Sequence, residues 1–337
     1  MKTFIVAEAG VNHNGSLDLA KRLVDVAFEA QADAIKFQSF NAKKIVSEIA
    51  PSAKYQQASA GNKSQYEILK GLELSYDKQK ILKQYCDLRG ILFLSSPFDV
   101  DSADMLYDLG MKIFKIASGE ITNYPLLKKV GGFNGKIILS TGMSEESEIQ
   151  NALTVLVESG SQLENITVLQ CNTQYPAPFY DVHLRAMRYL ADKFNVKTGY
   201  SDHTLGIEIP IAAVALGAHV IEKHFTLSRE MRGPDHAASL EPQELKQMIR
   251  SIRYVEKALG NYEKKTTLGE LENRPIARKS IHAATEIKKD DIFSEKNLTT
   301  LRPGTGVNPM KWESIIGKKS KRNYHAGQII DEGELAL

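Results

Sequence analysis

Several features that mark specialised proteins are missing or scarce. The 337-residue chain has only two cysteines, Cys86 and Cys171, and one tryptophan. Two thiols make neither a disulfide framework nor a paired-cysteine metal motif; they read as buried thiols in a reducing compartment. Neither sign of charge is in excess, since 43 Lys and Arg face 41 Asp and Glu, a net +2. Such a balance provides no footprint for nucleic acid or for an anionic membrane surface. No apolar run approaches a membrane span, and the sequence enters a strand pattern at Phe4 without a preceding signal-type segment, so a cytoplasmic protein is expected. A Gly-Lys-Ser/Thr phosphate loop is absent, as is a serine or cysteine nucleophile with its own histidine motif. Their absence disfavours nucleotide hydrolysis and acyl-enzyme chemistry.

What is present is a regular alternation. Short apolar runs at 4–8, 34–38, 91–95, 113–117, 136–140, 166–171, 197–201 and 219–223 read as strands. Amphipathic stretches separate most of them, and 17–30 is the clearest, with Leu19, Leu23, Val26, Ala27 and Ala30 at helical spacing. Eight strand–helix alternations imply eight parallel strands, because each crossover helix returns the chain to the same side of the sheet. Eight such strands close into a (β/α)8 barrel, a TIM barrel, of about 250 residues. The expected barrel domain is therefore 1–260, ending in a helix at 241–259. The alternative is an open doubly wound sheet, disfavoured because Gly10-Val-Asn-His-Asn-Gly15 lacks dinucleotide-binding spacing. Residues 261–278 are polar and weakly periodic and read as a linker. The remaining 279–337 reads as a small domain of short strands and turns, with Trp312 as its core anchor and Arg302-Pro-Gly-Thr-Gly306 as a turn-rich loop.

A barrel of this kind gathers its strand ends on one face. Those ends carry Glu8, Lys36, Gln38, Ser96, Lys115, Ser118, Glu120, Ser140, Asn172, Thr173, Tyr175, Ser201, Glu222 and, on the last two strands, His203 and His224. A lysine inside an apolar strand is costly unless its ammonium finds a partner. Two of them, Lys36 and Lys115, with a ring of hydroxyls, form a candidate pocket for a small dianion such as a phosphate ester. The two histidines, on neighbouring strand ends, make half of a candidate metal site; the plain alternative is two imidazoles satisfied by backbone partners. Together these groups favour a metal that polarises a carbonyl beside an anionic co-substrate.

Nine motifs, in order, carry a resemblance. They are Ile5-Val-Ala-Glu-Ala-Gly-Val-Asn-His-Asn-Gly15, Lys36-Phe-Gln-Ser-Phe40, Ser96-Pro-Phe98, Lys115-Ile-Ala-Ser-Gly-Glu120, Leu139-Ser-Thr-Gly-Met143, Cys171-Asn-Thr-Gln-Tyr-Pro176, Ser201-Asp-His-Thr204, Glu222-Lys-His-Phe225 and Gly233-Pro-Asp-His236. The set resembles the bacterial sialic acid synthase family, and the C-terminal segment resembles the antifreeze-like (SAF) domain attached to such enzymes. The resemblance implies condensation of phosphoenolpyruvate with the open-chain aldehyde of an N-acetylated amino sugar and water, giving a nine-carbon 2-keto sugar acid and phosphate. N-acetylmannosamine is the first expected acceptor, which makes N-acetylneuraminate. The alternative is an N,N'-diacetyllegionaminate synthase acting on 2,4-diacetamido-2,4,6-trideoxymannose. The first motif differs from the pseudaminic acid branch, which tends to have Ser-Ala-Asn-His.

The resemblance also implies roles. His203 and His224 hold a divalent metal, manganese or magnesium. Lys36, Lys115, Ser118, Ser140 and Ser201 hold phosphoenolpyruvate, with Ser96, Asn172 and Thr173 added to that shell. Glu8 handles a proton near the aldehyde carbon and Glu120 positions water. Gln38, Asn62, Tyr175 and Asp235 face the sugar, and Arg302 reaches it from the partner in a domain-swapped homodimer. Some family members have a histidine at Phe37, and some have Thr-Asn in place of Asn172-Thr173, so which of the latter two meets phosphoenolpyruvate stays open. Two other readings remain: condensation with a phosphorylated sugar, disfavoured by the lack of a second phosphate clamp, and a non-catalytic glycan-binding barrel.

Overall fold

The computed structural model describes residues 2–47, 50 and 64–335. Asn62, one of the expected sugar contacts, lies outside the described residues. The chain divides into two units, Met1–Gly260 and Asn261–Leu337.

The first unit is built on β1 (Phe4–Gly10), β2 (Ala34–Ser39), β3 (Leu92–Pro97), β4 (Ile113–Ile116), β5 (Lys136–Ser140), β6 (Ile166–Cys171), β7 (Lys197–Asp202) and β8 (Val220–His224). The strands run parallel in the order β3-β2-β1-β8-β7-β6-β5-β4. That is the cyclic order of a barrel: the first strand pairs with the last, and the ladder is interrupted only between β3 and β4, which lie side by side. Long crossover helices such as Leu17–Glu29, Tyr76–Arg89 and Pro242–Leu259 bury their apolar stripes against the outside of the strands. The helix starts are marked in the sequence: Ser16 and Ser75 cap theirs by accepting backbone N–H bonds from Leu19 and Lys78.

The pleat then decides what faces inward, because side chains alternate across a strand. Val6, Ala34, Leu94, Ile138, Leu169 and Val220 form one buried apolar cluster. Two residues further along the same strands stand Glu8, Lys36, Ser96, Ser140, Cys171 and Glu222. An apolar layer thus closes the barrel beneath a polar one, in the manner of stacked barrel layers. Gly199 continues the lower layer on β7, where a Cβ would come within 2.3 Å of the Val220 carbonyl oxygen, so only glycine lets β7 and β8 approach this closely.

On the outer side of the same two strands, Lys223 and Asp202 form an ion pair at 2.5 Å, with both side chains fully buried. The ammonium also donates to the Thr204 carbonyl, and Asp202 accepts from the Thr204 N–H and hydroxyl, each at 3.1 Å. The second unit has its own core of Ile281, Ala283, Ile287, Phe293, Leu298, Val307, Ile315, Tyr324 and Ile330, against which Trp312 packs. Its two paired strands, β9 (Ser280–Ala283) and β10 (Leu298–Leu301), run antiparallel. The segment read as a linker contains a helix, Leu268–Ala277, started by a Thr267–Glu270 capping box. The helix was hidden because Pro275 falls inside it and its few apolar residues, Leu268, Leu271 and Ile276, are set among charged ones.

Removing one member of a buried ion pair strands the other charge, at a cost of about 3–5 kcal/mol. Lys223→Met should lower the urea unfolding midpoint accordingly, and Asp202→Leu/Lys223→Met should recover most of the loss. A single variant as stable as the parent would show that the pair contributes nothing.

Candidate active site

The polar layer and the loops above it line a cavity of about 360 Å3. Of the residues singled out in the sequence, Glu8, Lys36, Gln38, Ser96, Lys115, Ser118, Ser140, Thr173, Tyr175, Ser201, His203, His224 and Asp235 all line it. Three others do not. Asn172 turns back on its own loop, its Oδ1 accepting from the Gln174 N–H at 2.7 Å. Glu120 accepts from the Asn123 amide at 2.6 Å outside the lining. Arg302 belongs to the second unit, where it is exposed. Of the Asn172–Thr173 pair, then, it is Thr173 that faces the cavity.

Glu222 is the member that sequence reasoning named only as a strand-end residue. Its carboxylate lies 3.6 Å from the Lys36 ammonium and 3.6 Å from that of Lys115, and accepts from the Ser201 hydroxyl at 3.0 Å. Lys36 also reaches Glu8 at 2.9 Å and donates to Ser96 at 3.1 Å. The strand register brings these groups level: Glu8 pairs with Lys36 on one side and His224 on the other, and Ser201 pairs with Glu222.

The two carboxylates are pushed apart electrostatically. Burial would raise Glu222, but Lys115 and Lys36 outweigh it and hold it at about 2. For Glu8 burial dominates, and with the charge of Glu222 nearby it overcomes the pull of Lys36, lifting the group to about 7. Two carboxyl groups with such different environments divide into a permanent charge and a proton carrier. Burial lowers Lys115, while the two carboxylates keep Lys36 above its usual range.

Above this layer the His203 and His224 rings stand 5.3 Å apart, with the Tyr175 ring 4.1 Å from the first and 5.7 Å from the second. Burial lowers His203 to about 4 and His224 well below its usual value, so both are neutral imidazoles at pH 7. His203 Nδ1 contacts the Asn172 carbonyl, which can only accept; Nδ1 therefore carries the hydrogen and Nε2 the lone pair. His224 Nδ1 is buried and has no hydrogen-bond partner among the described residues. Neutral rings with uncommitted nitrogens fit a cation. Among the described residues no group of three or more His, Cys, Asp or Glu side chains could hold a metal, so two imidazoles are what the side chains offer. Asp235, raised by burial to about 6, sits with its carboxylate 3.9 Å from His224.

The hydroxyl side of the cavity is tightly joined. Ser118 Oγ accepts from the Gly142 N–H at 2.9 Å, and a Cβ on Gly142 would lie 2.6 Å from the Thr173 methyl. Glycine is what lets these loops meet. Ser140 Oγ is buried without a hydrogen-bond partner among the described residues. Such an orphan, lining the same cavity as two lysines, fits an oxyanion.

The NeuB family model matches residues 23–264 and the SAF domain model residues 278–336. The chain is 53% identical to an N,N'-diacetyllegionaminic acid synthase of Campylobacter jejuni over 98% of its own length and 99% of that protein's. It is 46% identical to a Legionella pneumophila protein of the same name, over 98% and 94% of the two chains. Among solved structures it resembles an N-acetylneuraminic acid synthetase of Leptospira borgpetersenii, with a TM-score of 0.71, 36% identity, and coverage of 81% and 90%.

A charge-assisted hydrogen bond contributes about 1.5–3 kcal/mol. Lys115→Met should therefore weaken binding of a small dianion such as inorganic phosphate tenfold or more in calorimetric titration. A dissociation constant within twofold of the parent would remove Lys115 from the anion pocket.

Proposed function

The chain belongs to the NeuB family and is a carbon–carbon bond-forming nonulosonic acid synthase with a C-terminal SAF domain, and on that premise we propose that it condenses phosphoenolpyruvate with 2,4-diacetamido-2,4,6-trideoxymannose and water to give N,N'-diacetyllegionaminate and phosphate. The observation that carries this reading is 53% identity, across essentially the whole of both chains, to a synthase named for that product. N-acetylmannosamine, expected first from the motifs, ranks second because the matching structure named for the N-acetylneuraminate product is 36% identical.

The residues divide the work as follows. Lys36, Lys115, Ser118, Ser140 and Ser201, with Thr173, hold the phosphate and carboxylate of phosphoenolpyruvate. Its C3 forms the new bond to the aldehyde carbon, and Glu8, poised near neutrality, supplies a proton to the aldehyde oxygen. C2, left electron-poor, then takes water, whose proton returns to Glu8, and phosphate leaves with the C–O bonding electrons and the remaining hydroxyl proton as the ketone forms. Glu222 stays charged and holds both lysines in place. A divalent cation, manganese or magnesium, on His203 and His224 would polarise the aldehyde carbonyl. Gln38, Tyr175 and Asp235 orient the sugar. Glu120, turned toward Asn123, receives no proton-transfer role.

The active form in this reading is a homodimer in which Arg302 of each chain meets the other chain's acceptor. Exposed apolar side chains in the second unit, Leu268, Leu271, Ile276 and Met310, support a surface that a second copy covers.

The test mixes purified protein with phosphoenolpyruvate, manganese and each acceptor, and measures phosphate and 2-keto acid together. The diacetamido sugar should give the higher kcat/KM; release of neither product with either sugar would overturn the reading. His203→Ala should abolish turnover and weaken manganese binding, followed by electron paramagnetic resonance, by at least tenfold. Unchanged binding would move the metal elsewhere. For the dimer, mixing Arg302→Ala with Glu8→Ala chains should restore activity that neither has alone, whereas silence after subunit exchange would place each site within one chain.

A further inference from the structure

The cavity lining carries both ionic and apolar surface. Strands β4 to β7 and the loops after them contribute Lys115, Ser118, Ser140, Thr173 and Ser201, with Ala117, Met143 and Cys171 among them. The side formed by the loops after β1 and β3 and by the helix Gln65–Leu72 contributes Val11, Phe98, Ile68, Leu69 and Leu72. These five join one apolar cluster, together with Phe40 and Ile45. Within it Val11, Ile68 and Leu72 are buried, so packing alone accounts for them. Leu69 and Phe98 are only partly buried, yet both line the cavity. Apolar surface left bare in a cavity that also holds two lysines and two carboxylates is unfavourable in water and becomes favourable when an apolar ligand group covers it.

We propose that Leu69 and Phe98 form an end wall that selects an acceptor whose far end carries methyl groups over one ending in a hydroxymethyl. This rests on the reading above, and it assigns the part of the sugar that no group so far considered recognises. The reacting carbon belongs beside Glu8 and His224, and the enol phosphate belongs on the lysine and hydroxyl side. With those two ends so placed, the remaining carbons of the acceptor meet this wall when they point away from β4–β7. A C6 methyl, or the methyl of an acetamido group, gains contact there. A C6 hydroxyl at the same place gives up its water for two hydrocarbon surfaces that cannot hydrogen-bond. A hydrophobic pocket reads differences of this size at roughly 10–200-fold in kcat/KM.

The discriminating substrates are N-acetylmannosamine and its 6-deoxy analogue, which differ by one oxygen, with the diacetamido trideoxy sugar as reference. The parent protein should prefer the 6-deoxy sugar by about tenfold or more in kcat/KM. Leu69→Asn and Phe98→Tyr should each shrink that ratio at least threefold, and Leu69→Met should keep it. The ratio is the readout because a general loss of active protein scales both substrates alike. Phe98→Tyr adds a single hydroxyl, so it decides the matter even if Leu69→Asn fails to fold. A parent without the 6-deoxy preference, or folded variants with the parent's ratio, would overturn the wall. A parent that turns over none of the three sugars would instead overturn the synthase reading beneath it.

Discussion

Two ammonium groups can stand this deep in a barrel because carboxylates neutralise them, and Glu222 is the one that reaches both. Glu222, 3.6 Å from both Lys36 and Lys115, keeps the pair charged in a place where burial would otherwise strip their protons. Removing it would leave two buried cations with only Glu8 to share, and would also remove the neighbouring charge that helps push Glu8 toward neutrality. The rest of the site depends on this balance. The lysines stay cationic for an anion, Glu8 is free to exchange a proton, and the neutral imidazoles above remain Lewis bases rather than additional positive charges.

The barrel produces that arrangement through parity. On five strands the even-numbered residues face inward (Val6 then Glu8, Ala34 then Lys36, Leu94 then Ser96, Ile138 then Ser140, Val220 then Glu222), and Leu169 then Cys171 does the same on β6 with odd numbers. One step of two residues changes a hydrocarbon layer into an ionic one. The next step reaches Gln38, Thr173, His203 and His224, where the loops begin. The vertical order of the site therefore follows from where each strand starts.

Much of this was legible in the sequence and some was not, for physical reasons. Strand positions could be read because each strand is a short apolar run between turn residues, although β3 begins one residue later than its apolar run and continues to Pro97. The cavity's polar members could be read because lysines and hydroxyls stand out in apolar strands. Glu222 could not be given its place. In Val-Ile-Glu-Lys-His every side chain is buried, Glu222 inward and Lys223 outward against Asp202, so the sequence shows no alternation to tell the faces apart. Glu120 sits beside a strand end and reads as a site residue, yet a single turn of 3-10 helix, Ser118–Glu120, takes it out of the cavity. The apolar wall was hidden for the opposite reason: Leu69 is supplied by a helix between strands, which strand-end reasoning passes over. Legionaminate could not be separated from neuraminate by the motifs, because those motifs report the ionic floor that the reaction shares and not the end of the sugar that differs.

The hydrocarbon plug beneath the lysines has a temporal consequence. A vessel sealed at its base has a single mouth, so whatever is held deepest must arrive first and anything resting above it bars the way out. The lysines lie directly on the seal, level with Ser140 and Glu222, while the imidazoles and Thr173 stand one step nearer the rim. Such a cup imposes a queue. In the reading proposed above, the phosphorylated reactant would then enter before its neighbour, and the phosphate it sheds would leave only after the sugar acid above it.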